Sequence, residues 1–443
     1  VAIMARASQS GKDSTPYRAL HVATDARGGT EMSGPTRDTQ SSIQGMQKAF
    51  LPSHGPSHRY LLTAATSIVL VLCGTVAIVL TGQAEIVLKS SSKKVKVPHT
   101  GKWCAEDESF TKVTLKPVHD ASIESLLPLH DLLGENQFEA SEIIRVGDYY
   151  YVICDSSWAV LRLHRSLPII SEQNQMIGVP QVGFAPGESG FEAILHDDTT
   201  STFYVVQESV LHEHRGTYQA MVTQLSMPPP SRTEEHLQQR LNYTVIETCP
   251  SEMTFEGTSK GFEGAISLRG KDGRLYILGL CEGNHCKEEE KGKDAGNGRV
   301  VVMTRKQATN EFGCVWATVA TLEIPSSANF VDYSAITLHS VTQAVAITSQ
   351  ENSQVWIGKL EGGANGLFDP EKAKLTGDSV YDFPRNVNCD LQYCNIEGVE
   401  WISDGGEGTP QVLAAVSDKM KSKGKQKFTC KEKDQSIHLF AIP

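Results

Sequence analysis

From about residue 140 onward, short apolar runs alternate with polar turns rich in Gly, Asp, Asn and Ser. Runs this short, with many β-branched and aromatic residues, predict strands rather than helices. One phrase recurs along the chain. It opens on a small residue or an acid, enters a strand, and leads to a second apolar strand that ends at or near an acid. The clearest copy is Gly261-Phe262-Glu263-Gly264-Ala265-Ile266, followed by Leu275-Tyr276-Ile277-Leu278 and Glu282. The other copies start at Ser141, Glu192, Ser334 and Glu397. Such self-similarity sets the architecture before any single strand does.

After Ser141 the pattern predicts strands over 142–146, 149–154 and 159–164, and a weaker one over 176–182. After Glu192 they fall at 193–196, 203–207, 218–225 and 243–248. After Glu263 they fall at 265–268, 275–280, 299–304 and 315–324. After Ser334 they fall at 335–338, 344–348, 355–360 and 380–383. The last repeat shows only 399–402, 412–416 and 437–442, and residues 111–118 supply a candidate for the missing strand. A chain that pairs its N-terminal strand with its last blade leaves no open edge. The expected fold is all-β: one five-bladed β-propeller over residues 101–443 with N-terminal strand closure. A sandwich also alternates strands and turns, but it does not explain the four-strand period or the donated strand.

The region upstream has another pattern. Residues 1–59 are polar and aperiodic and read as a disordered tail. No charge occurs between Arg59 and Glu85, and the core over 61–80 is apolar. Twenty such residues at 1.5 Å rise cross roughly the 30 Å hydrocarbon layer, so residues 60–84 are expected to form one uncleaved transmembrane anchor. A basic stalk follows over 85–100, with Lys89, Lys93, Lys94 and Lys96. Basic residues after the span favour a cytoplasmic propeller. The cysteines and the sequon Asn242-Tyr243-Thr244 favour the opposite orientation, and long domains translocate largely regardless of charge. The expected protein is type II and single-pass, in the Golgi or plasma membrane, with its propeller lumenal or extracellular.

Composition narrows the partners. The chain of 443 residues has a net charge of −11, which argues against nucleic acid because phosphate binding needs a basic face. Nine of the ten cysteines follow residue 100, some in close pairs such as Cys281 with Cys286 and Cys389 with Cys394. That usage predicts disulfides. Nine thiols cannot all pair, and Cys154, inside an inner strand, is the candidate for the buried thiol. No CxxC…CxxC spacing suggests zinc.

In a propeller, the first strand of each blade lines the central channel, and the five strand starts converge on one face. Ser141, Glu192, Glu263, Ser334 and Glu397 would therefore form a ring of oxygens with three carboxylates. Close carboxylates repel one another unless a cation compensates, and a hard ion, Ca²⁺ above all, suits such a ring. Caps on backbone N–H groups or bound water would also use these side chains. A second row of acids ends the second strands: Asp155, Glu208, Glu282, Glu351 and Asp418. It could bind a cation or a cationic partner, or supply general acid and base, with Glu208, Glu282 and Asp155 as the catalytic candidates. The loops above carry His212, His214, Arg215 and His285, and residues 419–433 hold seven lysines, which leaves an anionic glycan or phosphate as a possible ligand. There is no G-x-S-x-G elbow, phosphate-cradling loop or metalloprotease helix motif, and no Ser-His-Asp triad is legible.

The Ser, Glu, Glu, Ser, Glu order resembles the calcium-activated nucleotidases of the apyrase family. So do Glu139-Ala140-Ser141-Glu142-Ile143-Ile144 with Tyr149-Tyr150-Tyr151-Val152, and Asn395-Ile396-Glu397-Gly398-Val399-Glu400-Trp401. The resemblance covers the propeller. It implies five blades, one central Ca²⁺ held by the five ring residues, and often a type II anchor. Nucleoside diphosphates would be the substrate class. Asp155-Ser156-Ser157-Trp158 and Cys281-Glu282-Gly283-Asn284 stand where that family carries arginines, and 111–118 has no acid where the family's strand is acidic. The same phrases look like the SdiA-regulated and phytase-esterase-like propellers. The expected function is a calcium-binding, ligand-binding module, with a calcium-dependent nucleoside diphosphatase or a glycosidase as the alternative.

Overall fold

The computed structural model describes residues 113–129, 131–132, 138–178, 189–212, 216–230, 241–257, 260–281, 286, 295–362, 367–386, 389–402, 411–419 and 428–443. The expected tail, anchor and stalk lie outside them. No helix among the described residues is long and apolar enough to cross a membrane.

Strand β1 (Lys116–Ser122) and the helical turn α1 (Ile123–Leu126) come first. Blade one holds β2 (Ala140–Val146), β3 (Tyr149–Cys154), β4 (Ser157–His164) and β5 (Gln175–Ile177). Blade two holds β6 (Phe191–Asp197), β7 (Thr202–His212), β8 (Thr217–Ser226) and β9 (Thr244–Pro250). Blade three holds β10 (Phe262–Arg269), β11 (Leu275–Cys281), β12 (Arg299–Gln307) and β13 (Cys314–Glu323). Blade four holds β14 (Ala335–His339), β15 (Ala344–Ser349), β16 (Gln354–Glu361) and β17 (Lys374–Asp382). Blade five holds β18 (Ile396–Trp401), β19 (Val412–Ser417) and β20 (Ser436–Ala441), and β1 completes it in the order β1-β20-β19-β18. The protein is a five-bladed β-propeller, as the repeat predicts.

Five apolar clusters hold the blades together, one at each blade junction. Strand β3 shows why its sequence is apolar without alternation. Tyr150, Val152 and Cys154 pack toward blade five, while Tyr151 and Ile153 pack toward blade two. A strand buried on both faces has no polar side to display.

The closing strand differs from expectation. It runs over Lys116–Ser122, not 111–118, with Lys116 opposite Ala441 and Ser122 opposite Ser436. Leu115 explains the shift. It is buried between blades four and five, and its N–H donates to the Asp382 carbonyl at 2.9 Å, so the chain crosses the edge of blade four before it joins β20. Every residue of β1 but one is exposed, so the strand carries little hydrophobic signal. The shift brings an acid, Asp120, into the closing strand.

Disulfides join Cys249 to Cys314, Cys281 to Cys286 and Cys394 to Cys430. The first ties β9 of blade two to β13 of blade three. Cys281–Cys286 matches the close pair read from sequence, but Cys389–Cys394 does not form. Cys394 reaches the 3-10 turn Phe428–Lys433 instead, and Cys389 is in a different disulfide. Sequence proximity is a poor guide there because the turn folds back beside β18. Cys154 is a buried thiol.

Candidate functional site: a bulged ring at the channel mouth

The ring positions share a backbone irregularity. In blade two, Phe191 lies opposite Gln207 and Ala193 opposite Val206, so Glu192 is an extra residue between them. Glu263 holds the same place between Phe262↔Cys281 and Gly264↔Leu280. Glu397 lies between Ile396↔Ser417 and Gly398↔Val416, and Ser141 between Ala140↔Cys154 and Glu142↔Ile153. A β-bulge re-aims one side chain out of the regular alternation. Here it does so at the same step of four blades. In blade four, Ser334 lies one residue before β14, and its N–H donates at 2.9 Å to the carbonyl of Thr348, the residue already opposite Ala335.

All three ring glutamates are half-buried, with a buried residue on either side. Burial pushes the Glu192 carboxyl well above the usual range, and the negative charges of Glu263, Glu208, Asp155 and Glu397 push it further. The structure thus brings Glu192, Glu263 and Glu397 into one electrostatic field, together with Asp155 and Glu208 of the second row. Among the described His, Cys, Asp and Glu side chains, the only three whose ligand atoms lie within 4.8 Å of one another are Glu247, Cys249 and Cys314, and those two sulfurs are bonded to each other. The ring carboxylates stand wider apart, on three different blades. Each ring serine is tethered. Ser141 Oγ donates to the Glu139 carbonyl at 3.4 Å and accepts from Asp155 N–H at 3.1 Å. Ser334 Oγ donates to the Ile396 carbonyl at 2.8 Å and lies 3.0 Å from Thr348 Oγ1. A hydroxyl with one donor bond and one acceptor bond keeps a lone pair for a cation.

The second row is less uniform. Glu208 sits against Gly261, where a Cβ would come within 2.3 Å of the Glu208 carbonyl, so the glycine of the third repeat is required by close approach. The Glu351 N–H donates to both carboxyl oxygens of Asp332, at 3.2 and 3.1 Å. Asp418 is buried, and the next residue, Lys419, pairs with Glu139. Glu282, His214, Arg215 and His285 lie outside the described residues, as does most of the lysine run. His212 is not in a loop. Strand β7 extends to it, and its buried ring lies 3.1 Å from Glu311 Oε1.

Four groups that the sequence reading passed over matter here. Gln350 Nε2 donates to Glu397 Oε1 at 2.5 Å, so an amide next to the second row steadies the ring. Glu142, just past Ser141, is buried and holds blade five: its Oε1 accepts from Val399 N–H at 3.2 Å and from Ile143 N–H at 3.0 Å. Farther down, Glu400 accepts from Thr337 Oγ1 at 2.6 Å and from Arg145 N–H at 3.3 Å. Burial raises its carboxyl to about 7 against those bonds. A carboxyl with a folded pKa above its unfolded value favours the folded state at low pH, and that contribution is lost as pH rises through about 7. Glu400→Gln keeps an oxygen to accept from Arg145 N–H, turns its amide N–H toward the Thr337 hydroxyl and cannot titrate, so its unfolding free energy is expected to fall less than wild type between pH 5 and 8 (denaturant titration at each pH).

The fourth group is Asp120. His438 Nδ1 lies 2.8 Å from Asp120 Oδ1, and Nε2 lies 3.1 Å from Ser417 Oγ. The connectivity is that of a hydrolytic triad, but Ser417 and His438 are fully buried and Ser417 Oγ donates to the Lys433 carbonyl at 2.6 Å. No substrate reaches that hydroxyl. The array is a strut across three strands of blade five.

Fold and site together define the class: a disulfide-bonded five-bladed β-propeller with an acidic, bulged ring at one mouth of its channel. No family model matches the chain. No curated protein matches it. Solved structures with some likeness include the glutaminyl cyclase of Myxococcus xanthus, at 8% identity, 75% of this chain, 96% of that one and a TM-score of 0.38. Another is the periplasmic gluconolactonase of Pseudomonas aeruginosa, at 10% identity, 65% of each chain and a TM-score of 0.30. Likeness at this level does not extend to residues or chemistry.

Proposed function

We propose that this chain is a membrane-anchored, calcium-binding propeller of the secretory pathway that binds a lumenal or extracellular ligand over its acidic mouth. One observation carries the reading. Four blades interrupt their inner strand at the same step, and in each the extra residue is a ring oxygen donor. Packing between blades does not need that repetition, whereas a ligand on the axis does. Ca²⁺ fits the donors: three carboxylates and two hydroxyls are hard oxygens, the flexible set that this ion accepts. The disulfides suit an oxidising compartment. Asn242 and Thr244 of the sequon are both exposed, as a glycosylated site must be.

The full chain, purified from a eukaryotic secretory host, is expected to hold Ca²⁺ by mass spectrometry and to shift on a gel after glycosidase digestion. Absence of metal would remove the ring reading. Absence of glycan together with reduced cysteines would put the propeller in the cytoplasm.

A second reading keeps chemistry at the same mouth. Asp155 and Glu208 share the field of the ring, so a bound cation would place two further carboxylates beside whatever it coordinates. A calcium-dependent nucleoside diphosphatase or a glycosidase would use them as base and acid. Release of phosphate from nucleoside diphosphates, dependent on Ca²⁺ and abolished by Glu208→Gln, would establish that reading over the binding module.

A further inference from the structure

A groove of about 710 Å³ runs between blades three and four, walled by the start of β12, the end of β13 and the start of β17. These are outer strands, so the groove lies outside the channel that the inner strands line. Its floor is apolar. Leu322, Ile324 and Leu375 line it and belong to the cluster that joins the two blades. Gly298 lets the floor close, because a Cβ there would come within 2.6 Å of Ile324 Cδ1 and 2.5 Å of Tyr333 Cζ. A volume of this size matches sites for small organic molecules and far exceeds a single ion.

The next residue sets a cation into that floor. Arg299 lines the groove, yet its side chain is only 9% exposed. Nη1 donates to the Gly298 carbonyl at 2.9 Å, and Nη2 lies 3.5 Å from Glu323 Oε1. The guanidinium has no further hydrogen bond or ion pair among the described residues. Buried charges are ordinarily paired and fully hydrogen-bonded, and this one keeps N–H donors to spare. Glu323 is a weak partner: its side chain is 80% exposed, and ion pairs in solvent contribute little. Lys374, on the blade-four wall, is 64% exposed and pairs with Glu361 at 2.7 Å, again in solvent. Both cations can therefore exchange an exposed carboxylate for a ligand at small cost. An Arg fork grips an oxyanion through two parallel hydrogen bonds, which a loose contact at 3.5 Å does not provide.

We propose that the groove between blades three and four binds a small organic oxyanion, with its carboxylate or phosphate head on Arg299 and its apolar body along Leu322, Ile324 and Leu375. The site goes beyond the ring reading and needs no ion there.

Titration calorimetry of the full chain with octanoate and with octyl phosphate tests it. One or both are expected to bind, and the tighter of the two identifies the head. Acetate and inorganic phosphate, heads without a body, should bind roughly tenfold more weakly or worse. Arg299→Lys keeps the charge without the fork and should lose roughly tenfold in affinity. Glu323→Gln removes the competing carboxylate and should gain about threefold. Hydrogen exchange of the wild type locates the site without any variant: the bound probe should protect residues 321–326 and 373–375. Binding of neither probe, protection at the channel mouth instead, full affinity in Arg299→Lys, or equal affinity for inorganic and octyl phosphate would each overturn the proposal. Titrations in EGTA keep it apart from the ring. Binding that persists there supports the groove whether or not the ring holds Ca²⁺, and binding that requires Ca²⁺ would place the head on an ion and overturn it.

Discussion

Removing calcium is expected to lower the thermal midpoint of the propeller by roughly 5–10 °C, and Glu263→Gln is expected to abolish that response. An ion that binds only the folded state at a thousand times its dissociation constant adds about 4 kcal/mol, which for a domain of this size is a shift of that order. Glu263 supplies one of the three charges on the ring, and affinity for Ca²⁺ follows ligand charge, so the variant should lose ~100-fold or more in affinity. The sign without metal is opposite. Glu263 is one of the charges that push Glu192 up, and neutralising it relieves that repulsion. In chelator, Glu263→Gln should unfold at or above the wild-type temperature, and in excess Ca²⁺ well below it. Scanning calorimetry under both conditions checks the crossing. A variant less stable than wild type in both would mean that Glu263 supports the fold itself and not an ion.

The second large effect is at the closure of the ring of blades. Asp120 on β1 binds His438 of β20, accepts from Lys433 Nζ at 2.5 Å, and accepts from Tyr393 OH at 3.1 Å. Asp120→Ala leaves the fully buried His438 without its acceptor, and is expected to cost about 3 kcal/mol, an unpaired buried donor plus a broken charge-assisted contact. Asp120→Asn keeps an acceptor and should cost about 1 kcal/mol. The pH dependence identifies the cause. Burial works to raise the Asp120 carboxyl, but the hydrogen bonds and charges of His438 and Lys433 outweigh it and hold it well below the usual range. Its stabilisation is therefore present above the ordinary carboxyl pKa near 4 and lost as pH falls below it. Burial also lowers His438, although Asp120 opposes that, so the folded state further loses ground once the unfolded imidazole takes a proton near pH 6.5. Both terms destabilise on acidification. Urea titrations between pH 7 and 3 should show a shallower decline for Asp120→Asn than for wild type. Parallel curves would mean that the strut is passive.

The repeat was legible because a propeller blade is a local object. Each inner strand is followed within a few residues by its partner, so the apolar runs and the turns between them report the blades directly. The apolar run that both faces bury coincides with strand β3 to its ends, Tyr149–Cys154. The strand starts at Ser141, Glu192, Glu263, Ser334 and Glu397 are legible for the same reason: each stands at one step of a repeated phrase. What the one-dimensional pattern could not carry was the bulge, since the extra residue shows only when the opposite strand is laid beside it.

Long-range contacts account for the rest. The closing strand lies a few residues later than the pattern predicts because β1 is polar and exposed, and its position is decided by Leu115 at the junction of blades four and five. Cys394 chose Cys430 over its neighbour Cys389 for a reason that lies in a folded-back turn. Glu142 looked like an ordinary strand residue. Only the approach of blade five, whose Val399 N–H it accepts, makes it a buried carboxyl. The sequence by itself determined the number of blades, the inner strands and which residues stand at their starts, because these follow from periodicity and residue type. The tertiary structure decided the closing strand, the disulfide partners and the charges beneath the ring, because each depends on which distant residues the closure of the ring brings together.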